Sequence, residues 1–269
     1  MARARRSSPD PTRTTGQAGP TSAAGAGATL VFVGPSLPAA EVAALLPGAE
    51  LCPPVAVLDV LRLLHARRRR LPARLAIIDG YFERMAAVWH KELLLALEHG
   101  VEVWGAASMG ALRAAELAPF GMRGVGAIYR GFASGRLRAD AEVAVAHLPG
   151  EWGYQPVSVA LVDVRDAVAR ARKAKVVSAA HARALLAAAT ATFYGDRTWD
   201  ALTAALPAGA RPRFTAWLAA TRPSRKADDA RELLRTLAAT PLAPVRHAAV
   251  PRTWAFAHAL RLAAARPPR

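Results

Sequence analysis

The chain has 269 residues, 53% hydrophobic, 21% charged and 6% aromatic, which is enough for a sizeable core in one α/β domain with a helical extension. No apolar run reaches the ~18–20 residues that cross a bilayer, and no signal-peptide core follows the basic start, so a cytoplasmic protein is expected. A single cysteine, Cys52, excludes an internal disulfide framework and a multi-cysteine zinc site; in Leu-Cys-Pro-Pro it reads as a small buried hydrophobe.

The net charge of +16 is uneven and rests on arginine, since only four of the 36 basic residues are lysines (Lys91, Lys173, Lys175 and Lys226). Residues 1–28 carry +3, residues 29–150 carry +2 and residues 151–269 carry +11. No Cys/His finger and no RNP-like aromatic pattern accompanies the charge, so an acidic protein or peptide is favoured over nucleic acid as the partner.

Residues 1–28 are rich in Ser, Thr, Pro, Gly and Ala and hold no large hydrophobe after Met1, so a disordered basic tail is expected. Order starts with the apolar run Thr29–Val33, closed by Gly34-Pro-Ser36. Helical periods follow over 38–46 and 56–70, then a second run at Leu75–Ile78 ending in Asp79-Gly80. A helix finishing before Gly100 leads to Val101–Trp104 and, after Gly105, to another helix reaching Leu117. Short apolar runs alternating with helices predict an α/β fold: an open, mostly parallel Rossmann-like sheet with helices on both faces, spanning residues 29–160. In such sheets the loops after the strands share one edge, where ligands bind. Five glycines between 121 and 135 predict shaped loops around a short helix near 128–134. Helices are predicted at 161–173, 178–193, 198–206, 212–220, 226–239 and 251–265, a smaller all-α domain over 161–269.

The most informative segment is Gly105-Ala-Ala-Ser-Met-Gly-Ala-Leu-Arg-Ala-Ala-Glu116. A strand ends, tiny residues turn the chain, Ser108 sits at the turn and a helix begins, as in a nucleophile elbow, although Ala106 replaces the first glycine of G-x-S-x-G. The N–H groups of Met109 and Gly110 can then hold an oxyanion at the helix N-terminus. Two other readings of the segment stay open: an anion cradle without catalysis, and Ser108 as a plain helix cap. The same edge should carry Ser36 and Asp79. A serine nucleophile needs a base. His90 is the first candidate, near Ser108 only if its helix starts late, and His147, beside the acids Asp140 and Glu142, is the second. Arg113 and Glu116, at i and i+3, are spaced for an intrahelical pair or a substrate clamp. No two histidines show ligand spacing on one helix face, so no metal site is expected.

Val-Gly-Pro-Ser36, Ile-Asp-Gly-Tyr-Phe82, Val-Trp-His-Lys-Glu92, the 105–117 segment, Gly-Met-Arg-Gly-Val-Gly126 and Glu-Val-Ala-Val-Ala-His147 resemble the TfuA-like family in order and spacing, over about residues 29–175. Further on, the similarity rests on Tyr154-Gln-Pro-Val-Ser158, Arg165 and Arg197-Thr-Trp199. The resemblance implies an accessory protein of YcaO-dependent thioamidation in ribosomal peptide maturation. A YcaO-domain partner activates a backbone amide with its own ATP and Mg, and this chain, with no cofactor, releases or delivers sulfur. A sulfur-carrier protein or precursor peptide is the other partner implied. One route joins this role to the residues. Ser108, with His90 or His147 as base and Asp79 or Asp140 orienting it, hydrolyses a carrier thiocarboxylate, while Gly34, Ser36, Met109, Gly110, Arg113, Glu116, Asp140 and Glu142 contribute to binding. A non-catalytic docking protein and an anion- or nucleotide-binding protein are the alternatives.

Overall fold

The computed structural model describes residues 27–81, 85–245 and 249–265. The tail expected over 1–28 lies, up to residue 26, outside the described residues. Five parallel strands, β1 (Thr29–Phe32), β2 (Glu50–Cys52), β3 (Arg74–Ile77), β4 (Glu102–Gly105) and β5 (Arg123–Gly124), form one sheet in the order β2-β1-β3-β4-β5. The α/β fold expected from the alternation of apolar runs and helices is present.

The runs are continuous because both sheet faces are buried. Leu30, Phe32, Leu75, Ile77 and Val103 point to one face, into a core shared with α2 (Asp59–Ala66), α3 (His90–Glu98) and α4 (Met109–Leu117). Val31, Val33, Ala76, Ile78 and Trp104 point to the other, over α1 (Ala39–Leu45). β2 escapes the sequence pattern because it is a short edge strand, with Leu51 exposed and Glu50 and Cys52 half-buried.

After α5 (Gly126–Ala133) and a loop region, α6 (Leu161–Lys173), α7 (Ala179–Ala191), α8 (Trp199–Thr203) and α9 (Arg211–Thr221) surround a separate core that includes Val164, Leu185, Leu202 and Phe214. Arg197 ties this unit together from inside: its buried guanidinium donates to the carbonyls of Ala189, Val159 and Thr192.

The last two helices behave differently from those four. Ala230, Leu233, Leu234 and Leu237 of α10 (Arg225–Ala239) recur with helical spacing and cover the α1 face of the sheet. The far end of α10 is fixed by Arg74, which pairs with Glu102 at 2.6 Å and donates to the carbonyls of Leu237 and Thr240. α11 (Trp254–Ala264) returns to the opposite face, where Phe256, Ala259 and Ala263 join the core beside α2. The self-contained helical unit therefore spans α6–α9, within the stretch 161–269 read from sequence as a helical domain. α10 and α11 complete the two layers over the sheet.

Candidate functional site

The strand order reverses between β1 and β3, so the loops that leave these two strands diverge and open a crevice at their carboxyl ends. Both loops carry polar residues. Asp79, directly beyond β3, is buried and accepts from the N–H groups of Gly34 (2.9 Å) and Ser36 (3.0 Å) and from the Ser36 hydroxyl (2.6 Å). The Lys226 ammonium stands 3.9 Å from the same carboxylate and donates to the Val143 carbonyl at 3.1 Å. Buried Asp163 accepts from the Lys226 backbone N–H and from the Ser224 hydroxyl. Burial pushes the Asp163 carboxyl up, against the pull of the Lys226 charge.

Ser108 lies beyond β4. The chain turns there through Ala107, held in the left-handed region at φ 65°, and α4 begins at Met109. Gly105 and Gly110 make the turn possible. A Cβ on Gly110 would fall 1.7 Å from the Ile77 carbonyl oxygen, and one on Gly105 would fall 2.0 Å from the Gly110 oxygen. The Ser108 N–H is spent on the Ala106 and Ile78 carbonyls, and the Gly110 N–H leans on Ile78 at 3.4 Å. Met109 N–H is the donor at this helix start without a partner among the described residues. The Ser108 side chain makes no cap hydrogen bond; the residue is 4% exposed and lines a cavity of about 340 Å³.

The same cavity is lined by Asp79, Gly80, Tyr81, Tyr194 and the stretch 145–150, which contains His147. His147 Nδ1 lies 2.8 Å from the Leu148 carbonyl oxygen. A carbonyl only accepts, so Nδ1 carries the proton, and in the uncharged tautomer that this leaves Nε2 holds the lone pair. Tyr81 and Tyr154 pack on this ring, with centroids at 5.7 and 5.8 Å. The 145–148 stretch is itself fixed: Leu148 N–H bonds Gln155, Val157 N–H bonds Ala146, and Ala146 N–H donates to the buried Ser158 hydroxyl.

Other residues singled out in the sequence lie elsewhere. α3 starts at His90, as a nearby base would require, yet the ring is at the surface, 2.8 Å from Glu116. Arg113 joins that carboxylate at 2.7 Å and donates to the Val88 carbonyl, so Arg113 and Glu116 form the intrahelical pair with His90 added. Glu142 is engaged by Arg165 with two hydrogen bonds, and Asp140 is exposed at the start of a short 3₁₀ turn. None of these five lines the Ser108 cavity. The group that orients His147 is the Leu148 carbonyl, while Asp79 holds the loop after β1. Ser36 and Gly34 thus serve Asp79, and Ser36 also lines a smaller pocket, of about 160 Å³, with Lys226 and Asp163.

Sequence reasoning missed Lys226, Asp163 and the tyrosines. One signal was available: Lys226 is among four lysines in a chain of 32 arginines, and a compact ammonium suits the buried space between the Asp79 carboxylate and the Val143 carbonyl better than a guanidinium fork. Among the described residues no cluster of His, Cys, Asp or Glu is placed to hold a metal, and no helix is long and apolar enough to cross a membrane.

Asp79, Ser108, His147 and Arg197 all fall within residues 79–198, the segment that matches the family model described as TfuA-like protein; no curated protein matches the chain. Over that segment the chain is similar to the TfuA-like family.

Proposed function

We propose that this protein supplies sulfur for peptide backbone thioamidation by breaking an acyl–sulfur bond at Ser108, as the partner of a YcaO-domain enzyme. The match of residues 79–198 to the TfuA-like family model supports a role in thioamidation-related processes. The observation that carries the finer reading is the pairing, in one cavity, of a serine hydroxyl that caps nothing with a histidine whose Nδ1 is pinned to a carbonyl.

The chemistry follows from those two groups. The Ser108 hydroxyl attacks the carbonyl carbon of a carrier thiocarboxylate or thioester and passes its proton to His147 Nε2. The Met109 N–H, at the positive end of α4, meets the oxyanion. The carbon–sulfur bond then breaks, sulfur leaves as a thiolate or sulfide that takes the proton back from the imidazolium, and the acyl group stays on Ser108 as an ester. Water, deprotonated by His147, hydrolyses that ester and restores the serine. Because His90 faces the surface with Glu116, His147 is the base in this reading.

A reconstituted reaction of the YcaO enzyme, precursor peptide, ATP and sulfur donor tests it. Ser108→Ala is expected to lower thioamide formation by about 10³-fold or more, and added sulfide to restore it. Full thioamidation by Ser108→Ala without added sulfide would remove the nucleophile.

A further inference from the structure

The chain's excess positive charge is not spread evenly over its ion pairs. Along α6, Arg165 and Arg170 are both paired, to Glu142 and Asp166. Past them, around the start of α7 and of α9, Arg172, Lys175, His181 and Arg213 surround a shallow depression of about 680 Å³ that no acidic side chain among the described residues lines. Arg172, Lys175 and Arg213 are exposed and form no ion pair among the described residues; Arg213 donates only to the Lys175 carbonyl, at 2.9 Å. Val176, Val177, Pro207 and Ala210 give the depression an apolar floor. Like charges gathered on a concave surface without counter-charges repel one another, so their arrangement is stabilised when an anionic surface fills it.

α7 connects this depression to the candidate site. Its first residues line the depression, and the residues just past its end, Phe193 to Gly195, line the Ser108 cavity. Thirteen helical residues separate the two by about 20 Å, at ~1.5 Å per residue. About six extended residues span that distance.

We infer that the depression is the docking surface for an acidic protein partner, whose body seats on Arg172, Lys175 and Arg213 while its extended chain end runs beside α7 to the Ser108 cavity. The delivery of the chain end rests on the acyl-transfer reading above; the docking does not. Nucleic acid fits less well, because the cations ring one hollow and do not track a backbone, and among the described residues no Phe, Tyr or Trp lines it as a stacking platform for bases.

The test compares the triple variant Arg172→Glu/Lys175→Glu/Arg213→Glu with a control of equal charge change, Arg68→Glu/Arg69→Glu/Arg70→Glu. A labelled polyglutamate peptide is the binding probe and single-stranded DNA the competitor. The depression variant is expected to bind the peptide about ten-fold or more weakly, and the control within about three-fold of the parent. With a protein-borne thioester as substrate, the depression variant should raise KM and keep kcat, while turnover of a small thioester stays the same. Equal loss in both triple variants, or DNA that displaces the peptide and binds more tightly through the same three residues, would overturn the docking surface. An unchanged KM for the protein-borne substrate would overturn the delivery. If Ser108→Ala keeps full turnover while the depression variant still loses the peptide, the cavity chemistry fails and the docking stands.

Discussion

Gly105 and Gly110 touch where β4 hands over to α4, and that contact decides whether Ser108 can sit where it does. Neither position has room for a methyl group, because the obstacles are backbone atoms that cannot swing aside. Gly110→Ala is therefore expected to destabilise the fold by about 3 kcal/mol or more, measured by denaturant unfolding, and a loss below about 1 kcal/mol would contradict the packing described. His147 has the opposite tolerance. Its side chain is half-buried against Tyr81 and Tyr154, so His147→Gln should unfold within about 1 kcal/mol of the parent yet release sulfur at least about 10²-fold more slowly. Retained sulfur release in a folded His147→Gln would show that the ring is not the base. Cys52 offers no competing nucleophile: burial pushes its thiol up to about 12, so it stays protonated at neutral pH. At this scale the sequence was informative about Ser108, because a strand end, small residues and a helix start are local features. It put His90 ahead of His147, and His90 faces the surface, because which way a ring faces is not a local feature of the sequence.

Among the elements, α2 and α3 share one unusual junction. The carboxyl of Glu92, fully buried in the first turn of α3, accepts from the N–H groups of Trp89, Leu58 and Leu61, and so caps both helices. Burial pushes this carboxyl up to about 7 even though the three N–H donors and the helix starts favour its charged form. Its folded value lies above the unfolded one, so the folded state binds more protons between them. Stability from this group is full below about pH 4.5, falls as the pH rises through 7, and levels off above. The loss is of the order of 3 kcal/mol. Thermal melts between pH 5 and pH 8 should show the parent losing stability and Glu92→Gln losing less; the same slope in both would contradict the assignment. The helices were largely legible, because apolar residues at helical spacing and breakers such as Pro207 and Pro223 mark them locally. The predicted 161–173 helix is α6 to the residue. β2 was not, because three residues at a sheet edge carry no pattern of their own.

The whole molecule is organised around α10, which arrives from the far end of the chain to cover the sheet, to set the Lys226 ammonium beside Asp79 and to bond Asp163 through the Lys226 N–H. No local signal in residues 225–239 says that this helix closes the same edge as Ser36 and Asp79, which is why the C-terminal stretch read as a separate helical domain. Removing the ammonium leaves the buried Asp79 carboxylate without the cation beside it, so Lys226→Met should cost about 3–5 kcal/mol, and part of that should return when Asp79→Asn is added. Chemical denaturation of the single and double variants measures both; full additivity would mean that the lysine and the aspartate do not act on each other.

In the proposed reaction, sulfur is released through an acyl group carried by the Ser108 oxygen. Intact-mass measurement of the protein, quenched during turnover of a thioester, addresses it directly. The parent should carry one acyl group, mapped to the peptide containing Ser108 and absent from Ser108→Ala, together with sulfide or thiol released in step with it. Sulfur released at the parental rate by Ser108→Ala, with no adduct on either protein, would contradict the claim.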